Sequence, residues 1–177
     1  MQSPVPTSTV TPPAFLAGCP PCVVFPRAVG LTIKQISIAE ELESAALIAE
    51  YAAECSIPMI GQINPQAELY ATLERVGVLK CFGLFDGDRL VGFANVLTTV
   101  LPHYGKKVAT VESLFVASAN RSGTAGKELL EAIEGYAKDA GCAVVFYSAP
   151  SGGRLEKVLL GKKNYSRTNA IFCRSML

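Results

Sequence analysis

The sequence predicts a mixed α/β domain over residues 31–177, with a largely antiparallel sheet of six to seven strands and about four helices. Three observations predict it. First, residues 111–148 read strand, helix, strand. Val111–Val116 and Ala143–Ser148 are short β-branched and aromatic runs, and between them Ala125, Leu129, Leu130, Ile133, Ala137 and Ala140 recur at helical spacing. Such a unit normally joins two parallel strands through a right-handed crossover. Second, the runs Phe82–Phe85 and Leu90–Thr99 flank Asp86-Gly87-Asp88, a strong hairpin signal. Third, the whole chain follows the order β-α-α-β-β-β-α-β-α-β.

Residues 1–30 hold seven of the eleven prolines and one charged residue, Arg27. Proline removes donors and blocks regular structure, so this segment is expected to be an extended or disordered tail. Leu31–Ile38 alternates with period two and predicts the first strand. A helix is expected from Ala39 to Glu54, with Ile38, Leu42, Ala45, Ala49 and Ala52 on one stripe. The apolar linker Ser56–Ile63 contains Pro58 and Gly61. Asn64-Pro65 is then expected to open a second helix, with Asn64 as N-cap, Pro65 at the first helical position and Leu69, Leu73 and Val76 on a buried face. After the hairpin, the loop Leu101–Lys107 leads to the strand Val108–Val116. Gly141 stands where a helix end favours φ > 0. A short helix over Arg154–Gly161, a left-handed cap at Asn164 and a closing strand over Thr168–Arg174 complete the expectation.

Composition excludes several classes. At 177 residues the chain suits one domain with a sizeable core, and half of its residues are hydrophobic. A net charge of +1 gives no field that would favour nucleic acid or a membrane surface. Nothing in the sequence resembles a membrane span or a secretory signal, so a cytoplasmic location is expected. Of the six cysteines, only Cys19 and Cys22 have C-x-x-C spacing, without a second pair or a histidine cluster. No metal site and no disulfide framework is predicted.

The turn Arg121-Ser122-Gly123-Thr124-Ala125-Gly126-Lys127 combines small residues with two cations at the start of a helix. Small residues let a ligand approach the backbone, and a helix N-terminus offers unpaired N–H groups and the positive end of the macrodipole. It reads as a phosphate cradle. It does not match a nucleotide-binding P-loop, because Glu128 follows Gly126-Lys127 and Arg121 stands where the first glycine belongs.

Residues 121–126 resemble motif A of the GNAT superfamily of N-acetyltransferases, Arg/Gln-x-x-Gly-x-Gly/Ala, read here as Arg121-x-x-Thr124-x-Gly126. Thr124 replaces the first glycine, and Gly123 lies one place earlier. The resemblance extends more loosely over residues 31–177. Leu101–Gly105 and Ser148–Arg154 further resemble small phage and prophage members. It implies a GNAT-like acyl-CoA N-acyltransferase fold, acetyl-CoA as cosubstrate and direct acetyl transfer to an amine of unspecified identity. It also implies that the main chain of Leu114, Phe115 and Val116 holds pantetheine while Arg121, Ser122, Gly123, Thr124, Ala125, Gly126 and Lys127 hold the diphosphate. Ser56–Ile63 corresponds to a loop that often lines the acceptor pocket, and homodimers are common in such folds.

Transfer requires a neutral amine, a polarised thioester carbonyl and a stabilised thiolate. Glu112 is the carboxylate that strand position favours as base; burial in an apolar strand would raise its pKa. An edge-facing or ion-paired glutamate is the plainer alternative. His103, the only histidine, lies in a loop expected near the acceptor. The family's tyrosine acid falls on Leu160, which leaves Tyr147, Tyr165 or a bound water to protonate the thiolate. A catalytically inactive acyl-CoA-binding module and a phage-associated interaction protein are the rival readings.

Overall fold

The computed structural model describes residues 30–176. The tail expected over residues 1–30, with Cys19 and Cys22, lies almost wholly outside the described residues. Five strands, β1 (Thr32–Ile36), β2 (Leu79–Asp86), β3 (Arg89–Leu101), β4 (Lys106–Val116) and β5 (Val145–Tyr147), form one sheet in the order β1-β2-β3-β4-β5. The first three pairings are antiparallel, and β4–β5 is parallel. The mixed, largely antiparallel sheet is therefore as expected, but it has five strands rather than six or seven.

The missing strand is the one expected over Thr168–Arg174. That segment is irregular, with Ile171 84% and Phe172 92% exposed. An apolar run states a propensity to pair, and the three-residue β5 pairs only with β4.

Five helices, α1 (Ile38–Glu43), α2 (Ala45–Cys55), α3 (Ala67–Arg75), α4 (Ala125–Asp139) and α5 (Arg154–Leu160), accompany the sheet. The single helix expected over residues 39–54 is two. Ser44 leaves helical geometry at ψ 62°, because α1 buries Ile38 beside Leu79 and Cys81 whereas α2 buries Leu47 against Phe93 and Phe115. A capping box opens α1: Ser37 Oγ accepts from the Glu40 amide at 3.2 Å, and Glu40 Oε2 accepts from the Ser37 amide at 2.7 Å. Asn64 does not cap α3. Gln66 occupies that place, and its own Nε2 donates to the Asn64 carbonyl. Pro65 lies before the first helical residue of α3, and Leu69 and Val76, expected on a buried face, are 57% and 59% exposed. Gly161 rather than a left-handed Asn164 ends α5, since no described residue other than glycine has positive φ. Gly141, at φ 72°, closes α4 as its position predicts.

The sheet has two different faces. Phe82, Leu84, Ala94, Val96, Ala109 and Val111 pack with Leu129, Ile133 and Ala137 of α4. The opposite face meets α1, α2 and α3. Among the described residues no helix is long and apolar enough to cross a membrane.

Candidate functional site

The register between β3 and β4 breaks at one point. Asn95 pairs with Ser113 and Val96 with Val111, so Glu112 is an extra residue on β4. A β-bulge of this kind reverses the alternation beyond it. Ala109 and Val111 face α4 below the bulge; Leu114 and Val116 do so above it. Glu112 and Ser113, adjacent in sequence, therefore both line the same cleft on the α1–α3 side. That cleft has a volume of about 470 Å³. Its lining mixes aliphatic with polar side chains, and Ile57, Ile60 and Ile63 of the linker expected to be a specificity loop run along it.

The floor is polar. Glu41, only 2% exposed, accepts at Oε1 a 2.9 Å hydrogen bond from Asn95 Nδ2, and Asn95 is equally buried. Glu41 Oε2, Asn95 Oδ1 and Ser113 Oγ have no protein partner. Desolvation raises the Glu41 pKa to about 7 despite the Asn95 hydrogen bond, with smaller contributions from Glu112 and Glu74. At the mouth, Tyr70 Oη donates to Glu112 Oε1 at 3.0 Å. Burial and the Glu112 carboxylate push the Tyr70 hydroxyl far above its ordinary range. Tyr51 stands edge-on to Phe93 and Phe115, with ring centroids 5.2 and 5.6 Å away, and burial pushes its hydroxyl up to about 12.

Glu112 is exposed, not buried, so the burial expected to tune it is absent. Glu41, Asn95, Tyr51 and Tyr70 escape a reading of the sequence for chemistry. Two signals pointed to them: Glu41 lies three residues after Ile38 on the buried stripe of its helix, and Asn95 interrupts the apolar run Leu90–Leu97.

Beyond the bulge, β4 runs past the end of β5, whose last pairing is Val111 with Tyr147. The Ala117 amide donates to the Val91 carbonyl, so strand alternation turns the main-chain groups of Ser113 and Phe115 toward β3. Those of Leu114 and Val116 point into the gap, where Val116 O accepts from Arg121 Nε at 2.7 Å. Of the three residues predicted to offer backbone groups, Phe115 has its own engaged in the ladder.

A 3₁₀ turn, Ser118–Asn120, then leads to the turn before α4. None of the six amides from Ser122 to Lys127 has a protein acceptor among the described residues. Gly123 adopts φ 87°, and a Cβ at Gly123 or Gly126 would meet nothing within 4 Å. This is an open row of donors at the positive end of a 15-residue helix. Thr124 does not cap it through its side chain; its hydroxyl bonds to Glu128 instead.

Arg121 is engaged internally. Its guanidinium pairs with Glu54 at 2.7 Å and lies 5.0 Å from the Phe115 ring, while its carbonyl accepts from Arg154 at 2.8 Å. It joins α2, β4 and α5 at the turn, and Lys127 is the more exposed cation, 3.4 Å from Glu131.

The three predicted catalytic residues are not brought together. Glu112 lines the cleft. His103 lies exposed in the β3–β4 turn, edge-on to Tyr104. Tyr165 follows α5 and bonds to Glu134 of α4, with Tyr147 beside it at a centroid distance of 5.8 Å. Burial and the Glu134 carboxylate push its hydroxyl up to about 12. Neither His103 nor Tyr165 lines the cleft. Leu160, at the family's tyrosine position, is 59% exposed. No group of three His, Cys, Asp or Glu suited to a metal occurs among the described residues.

Residues 45–151 match the profile of the Acetyltransferase (GNAT) family. No curated protein sequence matches the chain. Among solved structures, it is similar to an aminoglycoside acetyltransferase from an uncultured soil metagenomic sample in complex with sisomicin (17% identity, 83% of this chain, 97% of that chain, TM-score 0.65). It is also similar to ribosomal-protein-alanine N-acetyltransferase from Brucella melitensis biovar Abortus 2308 (18% identity, 82% and 99%, TM-score 0.64). A third is glucosamine-6-phosphate N-acetyltransferase from Arabidopsis thaliana (14% identity, 81% and 98%, TM-score 0.59). At these identities the likeness concerns the fold.

Proposed function

We propose that this chain, which belongs to the Acetyltransferase (GNAT) family, moves an acetyl group from acetyl-CoA to an amine by direct attack in a ternary complex. The observation that carries the reading is the row of six amides without protein acceptors at the mouth of α4, immediately after the stretch of β4 that β5 does not reach. Anionic diphosphate suits those N–H groups and the helix dipole, and Lys127 adds a charge nearby. The N–H and C=O of Leu114 and the N–H of Val116 suit the amides of pantetheine. The fit extends to Gly123 and Gly126, where open space stands in place of side chains.

Acetyl-CoA supplies an activated thioester. In this reading the acceptor occupies the α1–α3 cleft, and Glu112 takes the proton that the amine sheds as its nitrogen attacks the thioester carbon. Tyr70, hydrogen-bonded to Glu112, orients that carboxylate. The C–S bond breaks, and the departing thiolate takes up a proton from solvent or from the cleft. His103 and Tyr165 receive no part in this scheme.

Calorimetric titration of acetyl-CoA tests the cradle. Wild type is expected to bind, and Gly126→Glu to weaken binding at least about tenfold by placing a carboxylate against the diphosphate. No binding by wild type at millimolar acetyl-CoA, or undiminished binding by the variant, overturns the assignment. The rival is a module that binds the thioester without transferring its acyl group, motivated by Leu160 in place of the family's tyrosine. Sustained thiol release with any amine of a broad panel defeats that rival.

A further inference from the structure

The floor of the cleft has a donor–acceptor balance that selects its ligand. Asn95 spends its Nδ2 on Glu41, which leaves Asn95 Oδ1 as an acceptor. Glu41 Oε2 is a second acceptor once its carboxyl is ionised and Ser113 Oγ a third, and in that state only the serine hydroxyl can donate. All three residues are more than nine-tenths buried. Asn95 and Ser113 are cross-strand partners, so the three groups are contiguous. No Lys, Arg or His lines the cleft, and its two ionisable acids, Glu41 and Glu112, stand at the floor and the mouth.

Leaving buried polar atoms unpaired is costly, and the complementary ligand is one that brings donors and positive charge. A primary ammonium carries three N–H donors and no acceptor. Carboxylates and phosphates fail on both counts. Ile38, Leu42, Ile48 and Phe93 give the lining an apolar stretch that suits a methylene stem, while Gln62, Asn64 and Gln66 add polar groups to it.

We infer that the acceptor is a straight-chain diamine whose non-reacting ammonium is held by Glu41, Asn95 and Ser113 while its other nitrogen is presented at Glu112. An amine clasped on three acceptors stays charged and cannot attack, so the nitrogen at the floor is not the nucleophile. This deepens the transferase reading and rests on it for the fate of the second nitrogen. Recognition at the floor requires no thioester.

Glu41 is faced by Glu112 on β4, Glu74 and Tyr70 on α3, Tyr51 on α2 and Cys81 on β2. A diamine stays dicationic well above neutrality. Its affinity therefore rises with pH as the floor carboxyl ionises, and levels off above about pH 7.

The test is calorimetric titration of straight-chain α,ω-diamines and of monoamines of matching chain length into the whole protein without acetyl-CoA. At least one diamine is expected to bind roughly tenfold more tightly than its monoamine, because its second nitrogen also meets Glu112, and Glu41→Gln is expected to weaken both by removing the charge that holds the shared floor ammonium. Circular dichroism verifies that the variant folds. Ser113→Ala, which removes one acceptor and no charge, is expected to weaken the same diamine severalfold and supplies the measurement if Glu41→Gln does not fold. Equal binding of diamines and monoamines, or diamine affinity untouched by both substitutions, overturns the inference. Diamine binding without acetyl transfer would leave it standing and remove the transferase reading instead, so the two failures are distinguishable.

Discussion

On the α4 side of the sheet, Phe82, Leu84, Ala94, Val96 and Val111 meet Leu129, Ile133 and Ala137 in an apolar contact. On the other side, the same strands present Cys81, Asn95, Ser113 and the bulged Glu112 toward α1, α2 and α3. The first face leaves no buried polar side-chain atom unpaired among the described residues. The second has a shifted register, a broken helix and three buried polar atoms without partners. The contrast teaches that one residue inserted into β4 separates a face built for stability from a face that keeps chemistry-bearing groups in reserve.

The largest expected effect breaks the stable face. Ile133 is fully buried, so Ile133→Ala should cost about 4 kcal/mol in chemical denaturation through lost burial and the cavity left behind. A loss near zero would mean that α4 does not anchor the sheet.

Next comes the cost carried by the reserved face. The Glu41 pKa is about 7 in the folded chain against 4.5 as reference, so the folded state holds more protons than the unfolded state between those values. This group's stabilising contribution is full below about pH 4.5 and is lost as pH rises through about 7. At ~1.4 kcal/mol per pKa unit, the loss is at most ~3 kcal/mol. Melting at pH 5 and pH 8 checks it: Glu41→Gln should flatten the fall seen in wild type, and equal falls in both proteins would refute the assignment.

Glu112→Gln sharpens the comparison from the catalytic side. Loss of a general base is expected to lower kcat roughly 100-fold while leaving acetyl-CoA affinity intact. Steady-state kinetics beside a binding titration separate the two. The smallest effect is on the surface of α4: Lys127 and Glu131 are each about 60% exposed, so removing their ion pair by Glu131→Ala should alter stability by less than ~0.5 kcal/mol.

Much of the architecture was legible in the residues themselves. The spacing of Ala125, Leu129, Ile133 and Ala137 specifies a helix buried on one face wherever it packs, and Asp86-Gly87-Asp88 turns the chain through local geometry alone. The last four donors of the row, at residues 124–127, follow from a helix beginning at Ala125, because no preceding turn exists to satisfy its first amides. Propensity and capping act within a few residues, so a sequence carries them openly.

What tertiary structure decided is where distant segments meet. Leu90–Leu97 does not state that its asparagine will bond a glutamate 54 residues earlier, nor does Val111–Val116 state that Glu112 will be the extra residue of a bulge. Thr168–Arg174 has the composition of a strand but stays irregular and pairs with no strand of the sheet. Register, bulge and buried polar partnership depend on a second strand or helix arriving from elsewhere in the chain. The carboxylate floor of the cleft exists only once they have met.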